Sequence, residues 1–212
     1  MVKNFFRQGR DLLYSRQKNI LSAATVLMLM IAASRVLGLI RNRTLVHFFQ
    51  PHQLDTFLAA FQLPDLIFEI LVLGAMSSAF IPVFSAYFGR GKKKEAWYVA
   101  GVTLNILLLF FFFLALIIFV LAKPIYSLVV VGFSPTQIDQ TVIFARILLL
   151  AQLIFAASYV LTATLESNQR FLAPAVAPLF YNLGIILTTV LLAPSLGLLA
   201  PIFGAVLGSL LH

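Results

Sequence analysis

Between Trp97 and Ala122 the chain runs for 26 residues without a charged side chain. An uncharged apolar run longer than about 18 residues reads as a helix that crosses a bilayer, since lipid offers no partner to an open backbone group. Similar apolar segments occupy about 20–46, 57–88, 141–165, 171–193 and 196–212, which makes six with the run that opens at Trp97. Only 10% of the 212 residues are charged, against roughly a quarter in soluble domains. That leaves too little polar surface to cover a soluble globule. The expected fold is therefore all-α, a polytopic transmembrane bundle over residues 20–212 preceded by a basic segment, 1–19. The first two apolar segments are longer than a span requires, which points to tilt, kinks or interfacial ends. The 21 phenylalanines fit a lipid-facing surface, and the absence of cysteine excludes disulfides and thiolate metal sites.

The formal charge of +8 raises the question of nucleic acid. The placement of the charges answers against it. Ten of the fifteen Lys and Arg residues fall in three short polar stretches: five in 1–19, Arg90, Lys92, Lys93 and Lys94 in one loop, and Arg170 in a tight turn. Topology determinants are distributed in this way, whereas a nucleic-acid footprint forms a stripe on a folded face. The opposite connections carry Lys123 alone, so the N-terminus is expected in the cytoplasm. Residues 1–19 interleave Lys3, Arg7, Arg10, Arg16 and Lys18 with Phe5, Phe6, Leu12, Leu13 and Tyr14. They read either as an amphipathic helix on an anionic lipid surface or as a plain basic flank. Trp97 and Tyr98 open the third segment directly after the basic loop, as interface anchors do. The chain stops at His212 within the sixth segment, so more helices are expected beyond it.

Inside the apolar segments the polar residues are few and informative. Pro64, Pro82, Pro174, Pro178, Pro194 and Pro201 lie in or at the ends of these segments, with Gly38, Gly74, Gly101 and Gly184. A proline inside a helix frees a carbonyl, which is tolerated where a neighbour or a water-filled cavity satisfies it, so irregular helices are expected. Arg35, Arg41 and Arg43 fall in or near the first segment, Asp65 and Glu69 in the second, and Arg146 in the fourth. An arginine at bilayer depth costs about 2.5 kcal/mol or more and so normally faces a bundle interior or an aqueous cavity. Asp65 and Glu69, at i and i+4, share a helix face and repel unless a cation or proton intervenes. Arg35 and Arg41 are six apart and not on one face, so periodicity alone does not bring them together. A guanidinium pair at depth suits a phosphate or pyrophosphate. Arg43 and Arg146 read as interfacial, with Arg146 at the membrane edge. His47, His52 and Asp55 read as solvated loop residues rather than a metal site, because no further ligands follow at useful spacing. Asn105 and Asn182 read as interhelical hydrogen-bond partners. No Walker loop, nucleophile elbow or HExxH occurs, so neither an enzyme nor a cofactor is indicated.

Three ordered blocks carry a resemblance. SRVLGLIR at 34–41, then DTFLAAFQLPDL at 55–66 with GAMSSAFIPVFSAYF at 74–88, and NQRFLAPAVAPLFYN at 168–182 resemble the N-terminal portion of the MurJ/MviN family, from about residue 22 onward. That family holds lipid II flippases of peptidoglycan synthesis, within a superfamily that includes drug and polysaccharide exporters. The resemblance implies the first lobe of a fourteen-helix, two-lobed transporter with a cationic central cavity. It implies that Arg35 and Arg41 line the cavity and hold the pyrophosphate of an undecaprenyl-linked precursor, and that Asp55 matches an acidic position near the outer gate. The sequence departs from the family pattern at Phe68, Glu69 and Leu73, where an arginine pair and a later glutamate are usual. The departure leads to the expectation that Glu69 pairs with Arg35 or Arg41 in one state and releases it in another, with Asp65 beside it.

The function expected from these observations is alternating-access flipping of lipid II in the bacterial cytoplasmic membrane, with cell-wall synthesis proteins as further partners. Two rival readings are a cation-coupled exporter of drugs or another polyprenyl-linked oligosaccharide, and a non-transporting membrane scaffold.

Overall fold

The computed structural model describes residues 20–73 and 79–212. The basic segment 1–19, together with Gly74, lies outside the described residues. Within them helices are joined by short turns and no strand occurs. Helix α1 spans Ile20–Phe48 and α2 spans Pro51–Phe68, continuing as a π-helical turn over Glu69–Leu73. Helix α3 covers Ile81–Gly89, α4 Lys93–Val129, α5 Pro135–Ser167, α6 Leu172–Leu196 and α7 Leu199–Leu211.

Hydropathy alone starts α2 and α5 too late, because their first turns are polar. Helix α2 begins at Pro51, where the fixed φ suits the first helical position and the missing N–H is not needed. Gln53 accepts the N–H of Gln50 at 3.0 Å and closes that end. Helix α5 begins at Pro135 behind a capping box, in which Gln137 Oε1 accepts the Ser134 N–H at 2.9 Å and Ser134 Oγ accepts the Gln137 N–H at 3.3 Å. The other end of α5 closes in a Schellman turn. Arg170 donates its N–H to Leu165 O and Gln169 donates to Glu166 O, each at 2.9 Å, with Gln169 at φ 61° where glycine is usual.

The prolines divide into two groups. Pro82, Pro174 and Pro201 sit in the first turns of α3, α6 and α7, where no donor is required. Pro64, Pro124, Pro178 and Pro194 lie inside helices. Pro64 deprives the Ala60 carbonyl of its i+4 donor. Tyr126, fully buried on α4, donates its hydroxyl to that carbonyl at 3.0 Å. The tyrosine thus repairs a proline break in a neighbouring helix.

Helix α5 is the axis of the packing. It lies against α2, α4 and α7, while α6 packs on α1 and α7, and α3 on α4. Two apolar cores run along it. One gathers Phe57, Ala60, Tyr126, Phe144, Leu148 and Ile202. The other gathers Ile67, Phe84, Phe111, Leu149, Ala156 and Val160. Helices α4, α5 and α6 are each long and apolar enough to cross a membrane. Half of the most apolar stretch of α5 is buried, against 17% for α4. The exposed Phe110, Phe112, Phe113, Ile117 and Val120 of α4 form the face suited to lipid.

Helices α6 and α7 meet backbone to backbone. A Cβ on Gly184 would stand 2.9 Å from Gly204 O, and one on Gly208 would stand 2.8 Å from Tyr181 Cα. Small residues are what let membrane helices approach so closely, and Gly204-x-x-x-Gly208 is the motif for it. At the far side of α5, Arg146, expected at the membrane edge, reaches across to α4. It donates to Phe119 O at 3.0 Å with its guanidinium 4.7 Å from the centre of the Phe119 ring. Phe119 lies ten residues before the end of α4, roughly 15 Å at the helical rise. Pro124 supplies no N–H to Val120 O, the carbonyl next to that of Phe119 in sequence. Lys123 and Asp139 form an exposed ion pair at 2.7 Å nearby.

Candidate functional site

Helices α1 and α2 are joined by Phe49 and Gln50 alone, yet they barely touch, because α1 leans on α6 and α2 on α5. The gap between them opens on two recesses that share a floor, Pro178 and Tyr181 of α6.

The first recess, about 570 Å³, is lined by Ser34, Arg35, Gly38, Arg41 and Asn42 of α1 and by Asn182 of α6. Gly38 has nothing within 4 Å of where a Cβ would stand, so the wall between the two arginines is open. Both long side chains therefore reach one space although their Cα positions lie on different faces. Arg41 donates only to its neighbour, Asn42 Oδ1, at 3.1 and 3.2 Å. Arg35, exposed near the middle of α1, donates to no other described side chain or backbone group. Its five donors are free for a ligand. Asn182, buried at 7% exposure, ties the helices together behind the arginines. Its amide reaches Ser34 O and Oγ at 3.4 Å and Pro178 O at 3.2 Å. It is the interhelical partner that its sequence position led one to expect, whereas Asn105 is exposed on α4.

The second recess, about 300 Å³, is lined by Phe61, Asp65 and Phe68 of α2, Gln152, Phe155 and Tyr159 of α5, Tyr181 of α6 and His212. Asp65 accepts a hydrogen bond from Gln152 Nε2. Gln152 is itself buried at 7% exposure, so the carboxylate is held by an amide that has no other outlet. Phe68 lies edge-on to Phe155 and Tyr159, and Phe155 edge-on to Tyr181 and to the His212 ring.

The expected site residues thus separate. Arg35 and Arg41 share the first recess, and Asp65 lies in the second. Glu69 is exposed at the start of the π-helical turn, forms no ion pair among the described residues and lines neither recess. Asp55 is exposed in the second turn of α2 and lines neither recess. His47 and His52 are helical rather than looped, and His47 joins Arg43 in a separate groove of about 560 Å³. Among the described residues no group of three His, Asp or Glu side chains is placed to hold a metal. Sequence reading passed over Gln152, Tyr181 and the glycine pair of α7. The Gly-x-x-x-Gly spacing was there to be read, but nothing in the local sequence marks Gln152 or Tyr181.

Long apolar helices packed through glycines around charged recesses define a polytopic helical membrane protein. A family description, lipid II flippase MurJ, matches residues 46–212. The chain is 32% identical over 187 residues to the lipid II flippase MurJ of Thermosipho africanus, covering 84% of this chain and 37% of that one. It is 28% identical over 181 residues to the probable lipid II flippase MurJ of Borreliella burgdorferi, covering 84% and 35%. A third relative, the probable lipid II flippase MurJ of Rhizobium tropici, is 31% identical over 137 residues, covering 61% and 25%. The chain therefore belongs to the MurJ family and spans about a third of the length of its relatives in Thermosipho and Borreliella. Asp55, Asp65 and Glu69 fall within the family match, while Arg35 and Arg41 lie before it.

Proposed function

We propose that these helices form one wall of a flippase that carries lipid II across the bacterial cytoplasmic membrane by alternating access, with the N-terminus in the cytoplasm. The observation that carries this reading, beside family membership, is the recess lined by both Arg35, near the middle of α1, and Arg41, less than two turns further on. A diphosphate stripped of water needs nearby cations, and planar guanidinium donors match its oxygens. In this reading the two arginines take the diphosphate from the side while the polyprenyl tail stays in lipid. No chemical step and no cofactor are involved. Asp55, Asp65 and Glu69 act in gating and charge pairing, with Glu69 meeting Arg35 or Arg41 in a differently opened state. Membrane lipids surround α4, and cell-wall synthesis proteins are the natural neighbours.

The test uses the complete gene in bacteria depleted of their own lipid II flippase, with Arg35→Ala beside the unaltered protein. Rescue by the unaltered protein and not by a normally expressed Arg35→Ala supports the assignment. Absence of rescue by a well-expressed unaltered protein overturns it and directs attention to an exporter of another cargo. A double-mutant cycle of Arg35→Ala with Glu69→Gln tests the pairing, and additive effects on rescue contradict it.

A further inference from the structure

The second recess has the chemistry of a cation site, although its neighbour is cationic. Its walls are aromatic. The Phe68 and Phe155 rings meet at 67°, Phe68 and Tyr159 at 74°, and Phe155 and Tyr181 at 67°, with centroids 5.1 to 6.2 Å apart. These pairs meet edge to face, while Tyr159 lays one face on the His212 ring at 9° and 6.0 Å and keeps the other for a ligand. The lining contains no Lys or Arg, and its one basic side chain is His212, whose Nδ1 is engaged by Ser158 Oγ at 2.9 Å. One carboxylate, Asp65, lies in it with Oδ1 held by buried Gln152, while Oδ2 has no hydrogen-bond partner among the described residues. An apolar ligand would gain nothing from the carboxylate, and an anion would be repelled by it. A hard metal ion asks for several oxygen ligands, which this lining does not supply. A soft cation with carbon around its charge satisfies both features, because ring faces attract it and the carboxylate balances it.

We propose that the box of Phe68, Phe155, Tyr159 and Tyr181 around Asp65 binds an ammonium group, primary or quaternary. This goes beyond the flippase reading and does not depend on it. Tyr181 borders both recesses, so a single molecule that carries a phosphate and an ammonium can occupy the two together. The same chemistry also suits a free organic cation.

The experiment is a calorimetric titration of the complete purified protein with tetramethylammonium chloride, at ionic strength held constant with sodium chloride. Saturable binding is expected, weakened at least tenfold in Asp65→Asn and in Tyr159→Leu and unchanged in Arg43→Ala. Gel filtration in detergent establishes that each variant is folded before it is titrated. No saturable binding to the unaltered protein, or equal binding in folded Asp65→Asn and Tyr159→Leu, overturns the proposal. Competition then assigns the source. Displacement of tetramethylammonium by an amine-bearing lipid diphosphate, but not by its N-acetylated form, places the ammonium on the lipid-linked molecule. Displacement by neither assigns the box to a free organic cation. Because binding is read without transport, failure of the flippase assignment leaves this result intact.

Discussion

The two recesses on either side of Tyr181 are neighbours with opposite chemistry. The α1–α6 recess presents two guanidinium groups whose donors are left almost entirely open. The α2–α5 recess presents one carboxylate already oriented by a buried amide and walled by rings. The difference follows from what each helix leans on. Helix α1 contacts the bundle chiefly through α6, so most of its circumference is exposed and its arginines keep most of their donors, Arg41 spending two on Asn42. Helix α2 is embedded against α5, so a polar group there must be paired on folding. An open charge waits for a ligand, whereas a held charge is preorganised for one.

The largest effect is expected where both recesses depend on one contact. Gly208 lies under Tyr181, and a leucine there must push α7 off α6. Gly208→Leu is expected to abolish the folded, monodisperse species in detergent gel filtration, and with it the distinction between the recesses. A normal elution profile contradicts the close α6–α7 approach. Next comes Tyr126→Phe, which leaves the Ala60 carbonyl unpaired beside Pro64. It is expected to destabilise the complete protein by about 1–3 kcal/mol in thermal unfolding, with ligand binding at either recess unchanged. A loss of diphosphate binding in that variant shows that the α2 break reaches the arginines.

A smaller and more selective effect is expected from Gln152→Leu, which removes the amide holding Asp65. Tetramethylammonium affinity is expected to fall by roughly threefold to tenfold, or about 0.7–1.4 kcal/mol, while diphosphate affinity stays. If both affinities fall together, the recesses are one site. The smallest change is expected from Lys123→Ala. Its ion pair with Asp139 is exposed on both sides, and such pairs contribute roughly 0–1 kcal/mol. A shift of the unfolding midpoint beyond that range contradicts a surface role.

What could be read from the sequence divides along the same line between open and held groups. Arg35 and Arg41 announce themselves because a charge inside an apolar run is anomalous wherever the helix points. The helix class and the interhelical role of Asn182 follow from comparable local signals. Gln152 and Tyr181 do not, since an amide or a tyrosine in a long apolar helix has several ordinary uses, and only the α2–α5 and α1–α6 contacts select among them. The helix starts at Pro51 and Pro135 were missed because polar first turns look like loops to hydropathy, even though Gln53 and Gln137 close them. The joining of Arg35 and Arg41 in one recess was likewise beyond periodicity. It depends on the open wall at Gly38 and on the distance that α1 keeps from α2.

The most direct measurement is the affinity of the complete protein, in lipid nanodiscs, for an undecaprenyl diphosphate bearing no amine. Arg35→Ala and Arg41→Ala are each expected to weaken it at least tenfold, about 1.4 kcal/mol, while Arg43→Ala and Asp65→Asn leave it within a factor of two. Equal affinity in all four variants, or a loss confined to Arg43→Ala, would contradict a diphosphate seat between α1 and α6.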